Sequence, residues 1–427
     1  MRSQKLTGFI IAGMLLGIIV GYFINTMVPD PQTVKAIADH INLITDIFLR
    51  LIKMIIAPLV FSTLVVGIAH MGDTGAIGRI GLKAMGWFIG ASLVSLLIGL
   101  IMVNLLQPGN GLGLPLPDPG TATNLKTGAL SLKEFVVHLV PRSIFEAMAT
   151  NEILQIVVFS VLFGVAAGAV DKSEIVVRWV GELSHIMLRI TDYVMRFAPL
   201  AVFAAMASIV ATQGLGIILT YGKFMLQFYL SIAILWVVLC AIGFLFLGYT
   251  LFAMLRLIKD PILLAFSTAS SEAAYPRTME ELEKLPVSER IIGFVLPLGY
   301  SFNLDGSMMY CTFATLFIAQ AYGIDLSLGE QMTMLLILMV TSKGMAGVPR
   351  ASLVVIAAAL ATFNVPEAGL LLIMGIDQLL DMARSATNVL GNSLATTVVA
   401  KWEGELGPRA AAVGRLDEGP AALRGTH

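Results

Sequence analysis

A stripe of polar and charged side chains marks the last long apolar segment of the sequence. Asp377, Asp381, Arg384, Asn388 and Asn392 follow one another at spacings of four, three, four and four residues. At about 100° per residue, an α-helix would place all five within roughly 80° of arc on one face. A charged group at mid-bilayer costs about 2.5–3.5 kcal/mol on insertion scales, so charges on such a face need compensation. The stripe therefore predicts a buried functional site, with a structural polar seam between helices as the alternative.

Three further polar motifs precede this stripe. Small and polar residues at 267–274 and at 341–349 each connect two apolar segments that are too short to cross a bilayer, which predicts two re-entrant hairpins. Asn303-Leu304-Asp305-Gly306-Ser307 interrupts the apolar segment 291–322 and predicts a helix that unwinds there. Non-helical backbone at membrane depth is tolerated only where it faces protein or a water-filled cavity. The hairpin tips are therefore expected to line a site.

The composition is that of a membrane protein. Of the 427 residues, 57% are hydrophobic and 13% are charged, whereas soluble globular proteins carry about 25% charged residues. A net charge of −1 provides no basic field for nucleic acid. Two cysteines cannot build a disulfide framework or a zinc cluster, and no P-loop motif for ATP hydrolysis occurs. These observations exclude the nucleic-acid-binding, disulfide-rich and P-loop classes.

Six segments before residue 256 are expected to form membrane helices. A hydrocarbon core about 30 Å thick needs about 20 apolar residues in a helix. Arg2 and Lys5 predict a cytoplasmic N-terminus, and the polar end at 402–427 predicts a disordered cytoplasmic tail. The six predicted helices lie at 6–29, 41–69, 84–117, 153–170, 197–222 and 224–255.

The second half of the sequence repeats one arrangement. Each predicted hairpin is followed by a helix that carries polar groups at membrane depth. Such repetition is typical of secondary transporters built from structural repeats. The sequence therefore predicts an all-α membrane protein that lies in a lipid bilayer and moves a small solute with an ion gradient.

Four motifs resemble those of the dicarboxylate/amino acid:cation symporters, which include bacterial proton–glutamate carriers, archaeal aspartate transporters and mammalian excitatory amino acid transporters. They are STASSEAAYP at 267–276, NLDGS at 303–307, SKGMAGVP at 342–349 and DQLLDMARSATNVLGN at 377–392. The resemblance extends over nearly the whole chain to about Glu405. It implies eight transmembrane helices and two re-entrant hairpins in inverted repeats, assembled as a homotrimer of the elevator type.

The resemblance also implies how the chain is divided. Residues 1–72 and 129–212 would form the scaffold and trimer contacts, while 76–107 and 217–401 would form a moving transport domain. Within the transport domain, the implied elements are hairpin 1 at about 257–288, helix 7 at about 291–322, hairpin 2 at about 329–365 and helix 8 at about 367–400.

Matched by motif, Arg384 would hold the side-chain carboxylate of the substrate, since a guanidinium can donate two parallel hydrogen bonds to a carboxylate. Asp381 would pair with the substrate's α-ammonium group, because a cation brought to this depth has to be paired. Asn388, Ser270 and Ser271 would receive the α-carboxylate. The other residues implied to line the site are Ser307 and Ser385, together with Gly347 and Val348 in the tip that would act as the outer gate.

The stripe also bears on the class of substrate. Family members for neutral amino acids lack arginine at the position of Arg384, and members dedicated to C4-dicarboxylates generally lack aspartate at the position of Asp381. The resemblance therefore favours glutamate and aspartate over succinate and malate. The alternative with the same mechanism is a proton- or sodium-coupled C4-dicarboxylate symporter.

Protons are the expected coupling ion. Sodium-coupled members have an aspartate where this chain has Asn392, and a tyrosine and a threonine where it has Phe88 and Ala91. Sodium is a hard cation that needs several oxygen ligands, so only a weak sodium site is expected, at Asn303 and Asp305. A carboxylate in a desolvated site can instead carry a proton. The candidates for this role are Glu272, Asp305 and Asp377.

Other readings of the sequence remain open. Glu272 could cap a hairpin helix or pair with Arg277 without any role in transport. The whole chain could act as an anion channel, because the family is associated with chloride conductance. An enzyme is not expected, since no nucleophile–base pair emerges, and neither a cofactor nor a resident metal is implied. The expected location is a bacterial inner membrane, with both termini cytoplasmic.

Overall fold

The structure, a computed structural model, describes residues 3–69, 74–110, 116–118, 137, 140–170, 173–214, 216–342, 351–374 and 376–407. Apart from an isolated β-bridge between Val287 and Leu406, the regular elements of these ranges are helical. In chain order they are α1 (Ser3–Met27), α2 (Pro31–Ala69), α3 (Thr74–Leu106), α4 (Ile144–Thr150), α5 (Ile153–Ala169), α6 (Glu174–Met195), α7 (Ala198–Gln213), α8 (Gly216–Leu247), α9 (Thr250–Thr268), α10 (Ser271–Glu283), α11 (Glu289–Phe302), α12 (Asp305–Ala321), α13 (Leu328–Thr341), α14 (Ala351–Thr362), a 3₁₀ turn (Glu367–Gly369), α15 (Leu370–Met374) and α16 (Asp377–Trp402).

Four helices of the described ranges are long and apolar enough to cross a bilayer. They contain Gly8–Met27, Pro31–Val66, Gly75–Leu106 and Tyr221–Leu247, and a fifth span is possible if α6 and α7, which meet at 52°, count as one. Large apolar side chains on these helices, such as that of Leu245, are exposed on the surface. Exposed apolar helix faces of this length belong in lipid. The chain is therefore a helical membrane protein.

Two predicted helix boundaries are wrong. The charge-free runs separated by Lys223 predicted helices at 197–222 and 224–255, but α7 ends at Gln213 and α8 contains Lys223. The actual ends lie at Gly214, with φ of 62°, and Gly248, with φ of 56°. Such left-handed backbone is easily adopted only by glycine and stops a helix. Helix α9 therefore begins at Thr250 and contains residue 257, where the resemblance places the start of hairpin 1.

Two other segments also differ from the prediction. The run 84–117 predicted one helix, whereas α3 spans Thr74–Leu106 and is followed by Gln107 with left-handed φ of 43°. The long helix α6 (Glu174–Met195) was not among the predicted helices, because charged residues interrupt its apolar pattern. Charge-free segments indicate helices that are apolar on all sides, and they do not indicate helices that have one polar face.

The first group of helices is packed closely through small residues. Cβ atoms placed on Gly13, Gly17 and Gly21 of α1 would collide with backbone carbonyl oxygens of α7. Small residues in such a stripe let two helix backbones approach closely inside a membrane. The helix α2 packs along α5, α6 and α7 and so joins this group together.

The second group surrounds α16. The helices α8 to α12 all pack against α16, and α3 packs along α12. Two hydrogen bonds fix α16 on α8, from Trp236 Nε1 to Thr387 Oγ1 at 2.7 Å and from the Tyr229 hydroxyl to the Leu379 carbonyl at 2.7 Å. Because neighbours enclose it, the polar stripe of α16 faces protein rather than lipid.

The end of α16 is held by ion pairs, so the predicted disordered tail cannot begin at residue 402. Glu403 contacts Arg79 at 3.0 Å and Lys83 at 2.6 Å, and Glu405 pairs with Arg290. Burial raises the pKa of the Glu403 carboxyl. Its hydrogen bonds to Arg79 and Lys83 lower the pKa by more than burial raises it, so the pKa lies below its usual value. Residues 408–427 lie outside the described ranges.

Two of the three predicted interruptions lie within the described residues. The tip of hairpin 1 is a break between α9 and α10, where Ala269 has a left-handed φ of 49°. The expected unwinding within 291–322 is confirmed as the break between α11 and α12 at Asn303 and Leu304. The helix predicted at 367–400 is interrupted before Asp377. Residues 343–350, which contain most of the second predicted hairpin tip, lie outside the described residues.

Candidate functional site

Arg384 is the centre of a buried cluster of charges on α16. Its side chain is 2% exposed, and its Nη2 lies 3.3 Å from Asp377 Oδ1 and 3.1 Å from Asp381 Oδ1. Ser385 donates a further hydrogen bond to Asp381 Oδ1 at 3.3 Å. The two aspartates sit seven and three residues before Arg384, which places them on its face of the helix. The first half of the predicted stripe is therefore brought together in one cluster.

Tyr310 of α12 completes this cluster from the opposite side. The Arg384 guanidinium lies 4.1 Å from the centre of the Tyr310 ring, a cation–π contact. The Tyr310 hydroxyl also donates to Asp377 Oδ1 at 3.1 Å. Arg384 Nε and Nη1 have no hydrogen-bond partner among the described residues. Since unmet donors of a buried guanidinium are costly, they are available for an anion.

Asn388 connects α16 to the start of α12. Its Oδ1 accepts a hydrogen bond from the Gly306 amide at 2.9 Å, and its Nδ2 donates to Ser307 Oγ at 3.3 Å. A Cβ on Gly306 would collide with the backbone carbonyl of Arg384. Only glycine therefore permits this approach, which brings the positive end of α12 to the polar face of α16.

A second cluster lies further along α16 and contains no cationic side chain among its described members. Asn303 Nδ2 donates to Asp305 Oδ2 at 3.0 Å and to Asn392 Oδ1 at 3.3 Å. Ser95 of α3 donates to Asp305 Oδ1 at 3.2 Å. A Cβ on Gly391 would collide with Asp305 Oδ2. Asp305 and Asn303 are both fully buried, and these hydrogen bonds reach the carboxylate from neutral polar groups.

The hairpin serines lie at the beginning of α10, which packs against α16. Ser270 is the N-cap of α10, and its hydroxyl accepts a hydrogen bond from the Ala273 amide at 3.2 Å. Glu272 follows in the first turn and lines a separate small cavity beside α2 and α5. The predicted gate residues Gly347 and Val348 lie outside the described residues.

Two residues of these clusters were not anticipated. Tyr310 stands in a fully buried apolar helix, and a phenol in such a helix is a signal because its hydroxyl needs a partner. Ser95 gives no comparable signal, because its hydroxyl also donates to the Ala91 carbonyl at 2.8 Å, as serines in membrane helices commonly do. Its second partner, Asp305, comes from a distant part of the chain.

The charges of the first cluster suit a zwitterionic or anionic solute. The described residues contain no group of three or more His, Cys, Asp or Glu residues able to hold a metal ion. In the first cluster, two carboxylates and one guanidinium sum to one negative charge. A solute with one ammonium and two carboxylates could exchange partners with these groups without leaving a buried charge unpaired.

A membrane-embedded helical fold around a buried ionic site defines the class of membrane transport proteins. Residues 6–402 match the sodium:dicarboxylate symporter family, and the chain belongs to this family. This confirms the family predicted from the four motifs.

The relatives divide into two named activities at nearly equal similarity. The chain is 40% identical over 412 residues to the proton/sodium-glutamate symport protein of Bacillus caldotenax, covering 95% of this chain and 96% of the relative. It is 38% identical over 407 residues to the protein of that name from Bacillus subtilis, covering 93% of each. It is also 39% identical over 416 residues to the C4-dicarboxylate transport protein of Laribacter hongkongensis, covering 95% and 92%. Overall identity therefore does not choose between the two substrates.

Proposed function

We propose that this chain is a secondary transporter that imports glutamate or aspartate together with protons. The observation that carries the proposal is Arg384, buried between Asp377 and Asp381, with two nitrogen atoms that have no hydrogen-bond partner in the described part of the chain. A buried guanidinium with unused donors binds a carboxylate strongly, because it can donate two parallel hydrogen bonds and because the two charges neutralise each other. The substrate's side-chain carboxylate would take this position.

Asp381 favours an amino acid over a dicarboxylate without an amino group. Its side chain is 34% exposed, whereas that of Asp377 is 5% exposed, so Asp381 is the carboxylate that a solute can reach. An arriving ammonium group would replace the contact of Asp381 with Arg384 and free the guanidinium for the substrate's carboxylate. Succinate brings two negative charges and no cation, and it would face Asp381 with like charge. The second candidate, a C4-dicarboxylate symporter, is supported by the names of relatives such as the Laribacter hongkongensis protein.

The α-carboxylate would lie between Asn388 and the tip of hairpin 1. The Gly306 amide and Ser307 hold Asn388 in place, and the N-terminus of α10 at Ser270 and Ser271 supplies positive potential and hydrogen-bond donors. Ser385, Gly347 and Val348 are assigned to the remaining lining by resemblance. This assignment gives each charged group of an acidic amino acid a partner.

Protons are proposed as the coupling ion because the second cluster has one carboxylate. Asp305 is the carboxylate of this cluster, and Asn392 supplies a neutral amide where an acidic side chain would give sodium a charged ligand. Glutamate carries one negative charge, and each charge moved across 100 mV is worth about 2.3 kcal/mol. Import with at least two protons is therefore electrically favourable. A weak sodium site at Asn303 and Asp305 is the alternative.

Alternating access is proposed to follow from a displacement of the group around α16 past the group around α2 and α7. A polar cavity of about 330 Å³ lies between parts of the two groups, with Asp46 and Ser208 on one side and Thr268 and Gln378 on the other, while α10 and α11 pack against α2 elsewhere. A boundary with such a cavity has fewer contacts to break during a displacement than a boundary that is close-packed throughout. Eight transmembrane helices with two re-entrant hairpins, a homotrimer and an inner-membrane location with cytoplasmic termini belong to the same proposal.

The test is uptake by the purified protein in sealed liposomes. Radiolabelled glutamate, aspartate and succinate are offered in turn, with an imposed inward proton gradient, an inward sodium gradient, or neither. The proposal expects saturable accumulation of glutamate or aspartate that follows the proton gradient. Preferential accumulation of succinate would establish the second candidate instead.

A channel is distinguished in the same vesicles. With the membrane potential held at zero, a pore lets glutamate equilibrate and cannot accumulate it above the external concentration. Accumulation under a proton gradient alone therefore excludes an anion channel as the main activity, and its absence for all three solutes and both gradients would overturn the proposal.

A further inference from the structure

Glu272 occupies a cavity of its own, away from Arg384. The cavity has a volume of about 20 Å³, enough for about one water molecule. It is lined by Ile56 and Val60 of α2, Ile153 of α5, Glu272 and Tyr275 of α10, and Pro297 and Tyr300 of α11. One wall thus belongs to the helices around α2, and the other belongs to the helices around α16.

The wall provided by α2 and α5 is apolar. Ile56, Val60 and Ile153 are all buried and cannot solvate a carboxylate. On the opposite wall, the rings of Tyr275 and Tyr300 meet edge to face, with their centres 5.0 Å apart. Their hydroxyls are the titratable groups of the cavity lining besides Glu272. A carboxyl group in these surroundings is stabilised in its neutral form relative to water.

The charged groups on neighbouring elements lie around this cavity. On α10, Arg277 contacts Glu280 and Glu281, each at 2.6 Å. Asp260 of α9 acts electrostatically on Arg277, and Asp192 of α6 on Glu280. Glu152 directly precedes Ile153 at the start of α5, and the charges of α16 belong to the Arg384 cluster. Glu283, further along α10, acts electrostatically on Tyr275 of the cavity lining.

The position of Glu272 also ties it to the substrate. It directly follows Ser270 and Ser271, the residues proposed to receive the α-carboxylate, and shares the first turn of α10 with them. A helix N-terminus stabilises a nearby anion, so the substrate's carboxylate and an ionised Glu272 would compete for the same positive potential. A bound anion at this tip makes a second negative charge less favourable.

We propose that Glu272 takes up a proton when the substrate binds at the tip of hairpin 1, and that it releases this proton with the substrate on the other side. The inference rests on the proposed function and selects one carrier from three. In the step, a proton from water binds a carboxylate oxygen of Glu272, and the neutral acid moves along the apolar wall of α2 and α5. The proton returns to water when the carboxyl group is hydrated again, so no other reactant is needed.

The other two carboxylates are less suited to this exchange. Asp377 pairs with Arg384 and accepts a hydrogen bond from Tyr310, and Asp305 accepts hydrogen bonds from Asn303 and Ser95. Both are also enclosed within the group around α16, whereas Glu272 lies at its boundary, where displacement changes the surroundings.

The test measures glutamate binding as a function of pH. Isothermal titration of the purified full-length protein between pH 5.5 and 8 covers a range in which glutamate itself does not change charge. Because linkage is reciprocal, the affinity of the wild type should fall as pH rises, approaching tenfold per pH unit for each proton taken up on binding. In Glu272→Gln the pH slope of the affinity should be smaller than that of the wild type by one proton. Glu330→Gln, the same change at an exposed position in the first turn of α13, is the matched control and should keep the wild-type slope.

The outcomes separate this inference from the proposed function. Absence of glutamate binding by the wild type at every pH would overturn the proposed function itself. Binding by the wild type with an unchanged pH slope in Glu272→Gln would overturn only the role of Glu272. Glu272→Ser is measured alongside, so that a folding defect of one variant does not decide the result.

A transport measurement distinguishes proton uptake from simple helix capping. In liposomes, Glu272→Gln should retain exchange of internal for external glutamate while its accumulation under a proton gradient falls below the wild-type level, because one coupled proton is lost. If Glu272 only stabilises the N-terminus of α10, the variant should melt at a lower temperature and still accumulate glutamate to the wild-type level. That result would contradict the inference.

Discussion

The two polar clusters on α16 differ in one respect that decides what each can bind. Around Arg384, a guanidinium stands between two carboxylates, and two of its nitrogen atoms have no hydrogen-bond partner among the described residues. Asp305 accepts hydrogen bonds from an amide and a hydroxyl. The first cluster is proposed to exchange its internal ion pairs for those of a charged solute, and the second to hold a proton. One helix face would thus contain two sites of opposite preference.

The largest effect that separates the clusters is expected from Arg384→Ala. Removing one partner of a buried ion pair costs about 3–5 kcal/mol, so the Kd for glutamate should rise by roughly a hundredfold to several thousandfold. Titration calorimetry measures this loss, and Arg384→Lys, which keeps the charge without the planar fork, should recover part of it. Undiminished affinity in Arg384→Ala would remove the first cluster from the substrate site.

Asp381→Ser tests whether the first cluster binds the ammonium group of the substrate. Loss of a partly exposed partner for a buried cation should cost about 2 kcal/mol, or roughly thirtyfold in the Kd for glutamate. Affinity for succinate should rise, because repulsion by the carboxylate disappears. Competition between labelled glutamate and unlabelled succinate measures both changes at once. Parallel weakening of the two ligands would contradict the assignment.

Ser95→Ala should act on the second cluster alone. It deletes a hydrogen bond to the fully buried Asp305, and leaving a buried acceptor less satisfied costs about 1–3 kcal/mol. The thermal midpoint of the purified protein should fall, while the Kd for glutamate at saturating proton concentration should stay within about threefold of the wild type. A loss as large as that of Asp381→Ser would show that the two clusters are one site.

Tyr310→Phe is expected to give the smallest change, and it refines the description of the first cluster. The ring over Arg384 stays, and the hydrogen bond to Asp377 disappears, at a cost of about 0.5–1.5 kcal/mol. The Kd for glutamate should rise about two- to tenfold. Tyr310→Leu also removes the cation–π contact, so a larger loss in Tyr310→Leu would measure the contribution of the ring.

The sequence predicted the elements of the site better than their boundaries. The spacing of Asp377, Asp381 and Arg384 was enough to place them on one face, because helical periodicity fixes that relation locally. The helix ends at Gly214 and Gly248 were misplaced, because a glycine with left-handed backbone looks in sequence like any other glycine. Tyr310 and Ser95 were missed because their partners lie at other positions of the chain.

By itself, the sequence determined that this chain lies in a membrane, that its last helix has one charged face, and which family its motifs resemble. These properties depend on composition and on spacings within one element. Only the tertiary structure decided that Tyr310 covers Arg384, that Ser95 reaches Asp305, and that Glu272 faces an apolar wall instead of the Arg384 cluster. Such contacts join residues far apart in the chain, and close packing of several helices selects them all together.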